Sequence, residues 1–241
     1  MSTPHDVPEL LRRLATDDPT APRLTWYAAD HARTGERIEL SARVLRTWVA
    51  KTANLLEEEF DLGPGTTVRL DLPTHWRTVV WLLAVWSVGA DVVHDGDPAE
   101  GGDEGGDEGE AVDLVVAADP DVLRRSADDG VDTVAVDLAP LAVRFSGDLP
   151  QGVLDYARVV TGYGDLHDPA QEPGHAAELQ RAAEAGAGWP NGVRLLTAAR
   201  PADLLTTAVA AWVRMGSVVL TPDLAAVTDE TRGAELVTAV A

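Results

Sequence analysis

The stretch LGPGTTVRLDLPTHWRTVVWLLAVWSVGADVV, residues 62–93, decides the fold class. Gly63-Pro64-Gly65 is a turn signal that stops the helix before it. VRLDLP at 68–73 reads as a strand, the text from roughly 75 to 88 as a helix, and ADVVHD at 90–95 as a second strand. Val-rich strands without a polar face, alternating with a helix, call for a parallel sheet covered on both sides.

Working outward, the alternation continues through VDLVVAAD at 112–119, a helix near 120–128 and TVAVDL at 133–138. VRLLTA at 193–198, a helix over roughly 201–214 and SVVLTPD at 217–223 make one more βαβ unit. Upstream, VPELLRRLAT at 7–16 places Val7, Leu10, Leu11 and Leu14 on one helical face. Leu24–Tyr27 and Arg37–Leu40 read as a hairpin around TGE. Ser41 is the natural cap of a long amphipathic helix with Val44, Leu45, Trp48, Val49, Leu55, Leu56 and Phe60 on its apolar side. LDYARVV at 154–160 is a short helical or extended piece, and HAAELQRAAEAG at 175–186 is helix-prone. A last helix is predicted over Asp229–Ala239, capped by Asp229. The expected architecture is α/β, a layered, mostly parallel, doubly wound sheet flanked by helices. Residues 1–241 are read as a single domain, because the second βαβ unit alone is too small to bury both its faces. GDPAEGGDEGGDEGE at 96–110 leaves almost nothing to bury and is expected to be a flexible acidic loop.

Composition narrows the function classes. The longest apolar stretch, Val79–Ala90, is interrupted by Ser87 and Gly89 and falls short of the roughly 20 residues of a membrane span. The N-terminal text lacks the pattern of a secretory signal, and cysteine is absent, so the cytoplasm is the expected compartment. A net charge of −21 argues against nucleic acid as a partner. One lysine, Lys51, stands against 18 arginines, a bias that fits a GC-rich genome.

Residues 62–93 resemble the N-terminal part of the adenylate-forming, acyl-CoA synthetase superfamily. That family shows a long helix, a Gly-x-x-Pro-Gly-Asp type turn, a strand ending in Leu-Pro-Asn, and a helix ending in Ala-Gly-Ala before a Val-rich strand. The chain departs from the pattern at Thr66 and Thr74, where the family usually has Asp and Asn. GWPNGVRLLTAARPADLLTTAVAAWVRMGSVVLTPD at 188–223 resembles a later family segment with a Gly-x-x-x-Val-Leu strand. The chain is also similar to a short, truncated, single-domain actinobacterial family. The resemblance implies a phosphate-holding Ser/Thr/Gly-rich loop ending in Pro-Lys-Gly between Pro169 and His175, but the text there is AQEPG, and Glu172 would repel a triphosphate. TGYGD at 161–165 is too short and has no lysine. The family's Tyr-Gly-x-Thr-Glu segment, ribose-holding Asp and catalytic lysine belong to a region past the matched text. Adenylate formation by this chain alone is therefore not expected, and neither is a cofactor.

Other constellations are weak. His94, Asp95 and Asp97 fall at a strand end where open sheets bind ligands, but one histidine does not make a zinc site, and a solvated loop is the simpler reading. No Gly-x-Ser-x-Gly elbow supports a hydrolase. Trp76, Trp81 and Trp86 recur every five residues and spread around their helix, so Trp81 reads as core, with Trp76 and Trp86 as candidates for a pocket or partner surface. Arg200 stands at another strand end, suited either to an anion or to a local carboxylate. With no catalytic or metal residue assigned, the reading is a non-catalytic relative of AMP-dependent synthetases that binds a protein or a small acyl or nucleotide ligand. The alternatives are a subunit of an acyl-activating enzyme completed by another chain, and a structural assembly protein that pairs with itself or a partner.

Overall fold

The computed structural model describes residues 3–28, 36–94 and 111–241. The acidic run at 96–110, Asp95, Asp97 and most of the first hairpin's turn lie outside the described residues. The chain opens with α1 (Val7–Asp17), β1 (Pro22–Tyr27), β2 (Arg37–Ser41) and α2 (Ala42–Phe60). The stretch quoted first then gives β3 (Thr67–Asp71), α3 (Trp76–Val88) and β4 (Asp91–Val93). After it come β5 (Leu114–Ala117), α4 (Pro120–Asp128), β6 (Asp132–Ala135), β7 (Leu154–Asp155), α5 (Tyr156–Val159) and α6 (Ala176–Ala185). The last elements are β8 (Arg194–Thr197), α7 (Pro201–Trp212), β9 (Ser217–Leu220), α8 (Asp229–Ala234) and β10 (Ala239–Val240).

Where one continuous sheet would have satisfied the strand pattern, the molecule builds two. One, ordered β4-β3-β5-β6-β7, is parallel throughout, with Val68 facing Leu114 and Val116 facing Val134. The other, ordered β10-β8-β9-β1-β2, is parallel except for the β1–β2 hairpin, with Leu24 facing Val218. Each resembling phrase thus supplies a different sheet. The first sheet is doubly wound: β4 and β5 lie on opposite sides of β3, so chain direction reverses there.

The helix α3 sits between the sheets, touching β1 of one and β4 of the other while packing along α2. Its residues are buried on every face except at Trp86, which is the behaviour of a helix apolar all round. Trp81 is fully buried against Tyr156, whose hydroxyl pairs with Thr52 at 2.7 Å. Gly89 ends α3 at φ 87°, and a Cβ there would lie 2.9 Å from the Pro173 carbonyl oxygen, so both conformation and space require glycine.

Ser41 caps α2 as expected, accepting from the Val44 amide at 3.3 Å. The last helix differs from its prediction. Thr228, not Asp229, is the cap, accepting from the Thr231 amide at 3.1 Å. The helix stops at Ala234, because Leu236 turns left-handed at φ 53° and sends the chain back along β8 as β10.

Candidate functional site

The carboxyl ends of strands from both sheets converge on residues 72–77, which run from the end of β3 into the first turn of α3. Trp26, near the end of β1, donates its indole N–H to the Thr74 carbonyl at 3.4 Å, and Thr74 Oγ1 donates to the Ala199 carbonyl beyond β8 at 3.0 Å. Arg77 reaches the Asp137 carbonyl beyond β6. Crevices outside strand carboxyl ends, beside a reversal of chain direction, are where open α/β sheets bind ligands. An open pocket of about 360 Å³, lined by Pro120, Val136, Asp137 and Phe145, lies at the ends of β5 and β6.

The charges of this crevice are buried and incompletely met. Arg77 is 5% exposed and its guanidinium lies 4.7 Å from the Trp76 ring centre. Its Nε finds no hydrogen-bond partner among the described residues, and neither does Glu36 Oε1. Burial pulls the Arg77 pKa below its ordinary value, opposed by the neighbouring Tyr156, Asp137 and Glu36. Burial pushes the Asp137 carboxyl up, but the Ala139 and Ser146 amides, donating at 2.7 and 2.8 Å, hold it below the usual carboxylate range. His75 caps α3, its Nδ1 accepting from the Arg77 amide at 3.1 Å, and meets Trp26 edge-on at 4.3 Å.

A second assembly lies elsewhere. The segment 161–170 is lashed along one stripe of α2. Lys51 donates to the Thr161 and Tyr163 carbonyls at 3.2 and 2.5 Å and pairs with Asp165 at 2.7 Å. Asn54 donates to the Gly164 and Leu166 carbonyls, Glu57 accepts from the Ala170 amide, and Glu59 accepts from the Tyr163 hydroxyl at 2.6 Å. His167 Nε2 approaches Glu57 at 3.2 Å without a hydrogen bond. Burial first, then the Glu59 carboxylate, raises the Tyr163 pKa well above the ordinary phenol value. Beyond it, Pro173 packs on Gly89, and His175 Nε2 lies 3.2 Å from the Ala90 carbonyl oxygen. Gly89 and Ala90 follow the C-terminal end of α3, whereas the crevice is at its N-terminal end. The 13 residues of α3 separate the two by about 20 Å.

No family model matches the chain. A TIGR03089 family protein of Mycobacterium tuberculosis (strain ATCC 25618 / H37Rv) is 41% identical over 160 residues, which are 65% of this chain and 60% of that protein. Among solved structures, acetoacetyl-CoA synthetase from Streptomyces lividans superposes with a TM-score of 0.63 at 16% identity, over 91% of this chain and 39% of the synthetase. The acyl-CoA synthetase of Brucella canis gives 0.63 at 18% identity, over 89% of this chain and 42% of that one. The fold is that of adenylate-forming enzymes. The match spans 60% of the mycobacterial relative and about two fifths of each synthetase.

On this adenylate-forming fold the residues singled out from the sequence lie apart. Trp76 is at the crevice, 6% exposed, edge-on to Trp48 at 5.5 Å. Trp86 is at the far end of α3, half-buried and stacked on His175 with ring centres 4.7 Å apart and 6° between planes. His94 is half-buried after β4, its Nδ1 3.3 Å from the Leu70 carbonyl oxygen, and Asp95 lies outside the described residues. Arg200 precedes α7 in solvent, its side chain 83% exposed and paired with Asp203 at 3.3 Å. Sequence reasoning passed over Arg77 and Glu36. The signal for Arg77 was a lone charge inside an otherwise apolar helix; Glu36, a loop carboxylate, had none. Among the described residues no group of three or more metal-ligating side chains converges, and no helix is long and apolar enough to cross a membrane.

Proposed function

We propose that this chain keeps the adenylate-forming fold without nucleotide chemistry and works as a non-catalytic binding protein. The observation that carries the reading is the commitment of residues 161–175. A phosphate loop works by leaving backbone amides and a lysine free to face an anion. Here the sole lysine, on α2, is spent on two carbonyls and a carboxylate of residues 161–165, and Glu57 accepts from the Ala170 amide. The segment also packs at the end of α3 remote from the strand-end crevice, so a phosphate held there would be about 20 Å from a substrate in the crevice. The crevice retains a buried guanidinium with an unfilled donor, an arrangement that supports recognition of a polar ligand without supplying a reaction.

The same reading takes residues 1–241 as one folding unit. A single buried cluster contains Leu24 and Val218 of one sheet together with Val68 and Val134 of the other. Mixing the protein with ATP, Mg²⁺ and a panel of carboxylic acids tests the proposal. Pyrophosphate release no faster than in buffer is expected. Acid-dependent release from the chain alone would overturn the non-catalytic reading, and release only when a second protein is added would make the chain an enzyme subunit.

A further inference from the structure

The geometry points to a binding site for a small amphiphile with a single anionic head, in the cleft between α1, α2 and residues 166–169. The cleft encloses about 560 Å³, within the roughly 300–1,000 Å³ of small-molecule pockets and too small for a protein element. Its floor is apolar, made by Leu11, Val49 and Ala50, all buried, and at its rim Leu166 leaves 71% of its surface in water. An apolar side chain that exposed at the mouth of an apolar floor is the surface an alkyl chain would cover.

The head group follows from the charges on the wall. Arg46 lines the cleft and has no hydrogen-bond or ion-pair partner among the described residues, in a chain carrying 40 acidic against 19 basic residues. Where carboxylates are in such surplus, an arginine left without one is a vacant cation. Arg12, 61% exposed, adds a second positive charge with only a loose 3.9 Å approach to Glu9. The cleft's own acids are largely engaged. Asp6 caps α1 by accepting from the Glu9 amide at 2.7 Å, and Glu9 takes Arg13 at 2.6 Å and the His5 amide at 2.7 Å. Asp168 stands exposed on the wall formed by residues 166–169, so a cationic head is the competing choice to be tested. The lashing of residues 161–170 to α2 by Lys51 and Asn54 forms that wall, which gives the segment a use unrelated to nucleotides. The inference does not depend on the loss of nucleotide chemistry.

Titration calorimetry of the full chain with octanoate, octanol and octylammonium tests it. One octanoate per chain is expected, bound roughly tenfold or more tighter than either of the others, the difference one charge-assisted contact supplies. Arg46→Gln should erase the preference for octanoate over octanol, and Leu166→Ser should weaken both. Arg43→Gln, on an exposed position of the same helix, should change neither. Both cleft substitutions fall on incompletely buried side chains, and an unchanged melting temperature checks that the fold is intact. Absence of saturable octanoate binding, tighter binding of octylammonium, or an Arg46→Gln variant that binds like the parent would each overturn the proposal, whatever the nucleotide experiments give.

Discussion

Two buried ionic clusters in this molecule are built to opposite standards. Around Glu235, 6% exposed, three donors converge on one carboxylate: Arg37 Nε lies 2.7 Å from it, and Arg194 and Tyr27 close on it from β8 and β1. Arg194 also donates to Ser217 at 3.1 Å and Thr25 at 3.2 Å. Around Arg77, equally buried, one guanidinium nitrogen has no partner among the described residues, and neither has the nearby Glu36 Oε1. A satisfied network rigidifies; an unsatisfied one costs stability and persists where the polar groups serve something else. The first cluster fixes the C-terminal segment to its sheet, and the second marks the crevice as the place to look for a polar ligand.

Glu235→Gln is expected to lose about 2–4 kcal/mol in urea unfolding, because it leaves the mostly buried Arg194 without its carboxylate, while Arg37, 38% exposed, is partly screened by water. The pH dependence has a definite sign. Burial works to raise the Glu235 pKa, but Arg37, Tyr27 and Arg194 overcome it and depress it from 4.5 to about 2. The pair's stabilisation is therefore complete above pH 4.5 and is lost as pH falls from there toward 2, so acid melts of the parent should drop through that window and those of Glu235→Gln should be flatter. A smaller loss, about 1–3 kcal/mol, is expected of Lys51→Met, which abandons two carbonyls and a carboxylate, with faster hydrogen exchange confined to residues 161–170. Arg77→Met should shift stability by no more than about 1 kcal/mol in either direction, since the lost contact is offset by the relief of an unmet buried charge. A loss of several kcal/mol there would place the Arg77 cluster with the Glu235 cluster as architecture. Arg200→Ala, at the exposed end of the scale, should stay within about 0.5 kcal/mol in the same melts.

Much of the fold is legible where a local signal is strong. Ser41 caps α2, Gly89 ends α3, and the Val-rich runs become strands because those choices depend on a few neighbouring residues. The division into two sheets is not local. VRLDLP and SVVLTPD are both short Val- and Leu-containing runs with one Pro and one Asp, so neither names its sheet, and α3 lies between the two sheets they join. The bounds of α8 are not legible in the sequence, because Thr228 and Asp229 are both good caps for its start and the left-handed turn at Leu236 beyond its end has no glycine to announce it. The site was less legible still. Lys51, Asn54 and Glu57 share one helical stripe readable from spacing, but the segment they hold is more than 100 residues away in sequence. Between Pro169 and His175, where the resemblance places a phosphate loop, the chain reads AQEPG, and the proposal that phosphate binding is lost starts from that departure.

Thermal unfolding of the full chain with and without excess ATP·Mg²⁺ or AMP addresses most directly whether the fold has parted from its nucleotide. A ligand at 100 times its dissociation constant raises stability by about 2.7 kcal/mol, which a melt resolves readily. Identical transitions with and without either nucleotide are expected. A clear upward shift with either would contradict the claim that residues 161–175 have given up phosphate binding.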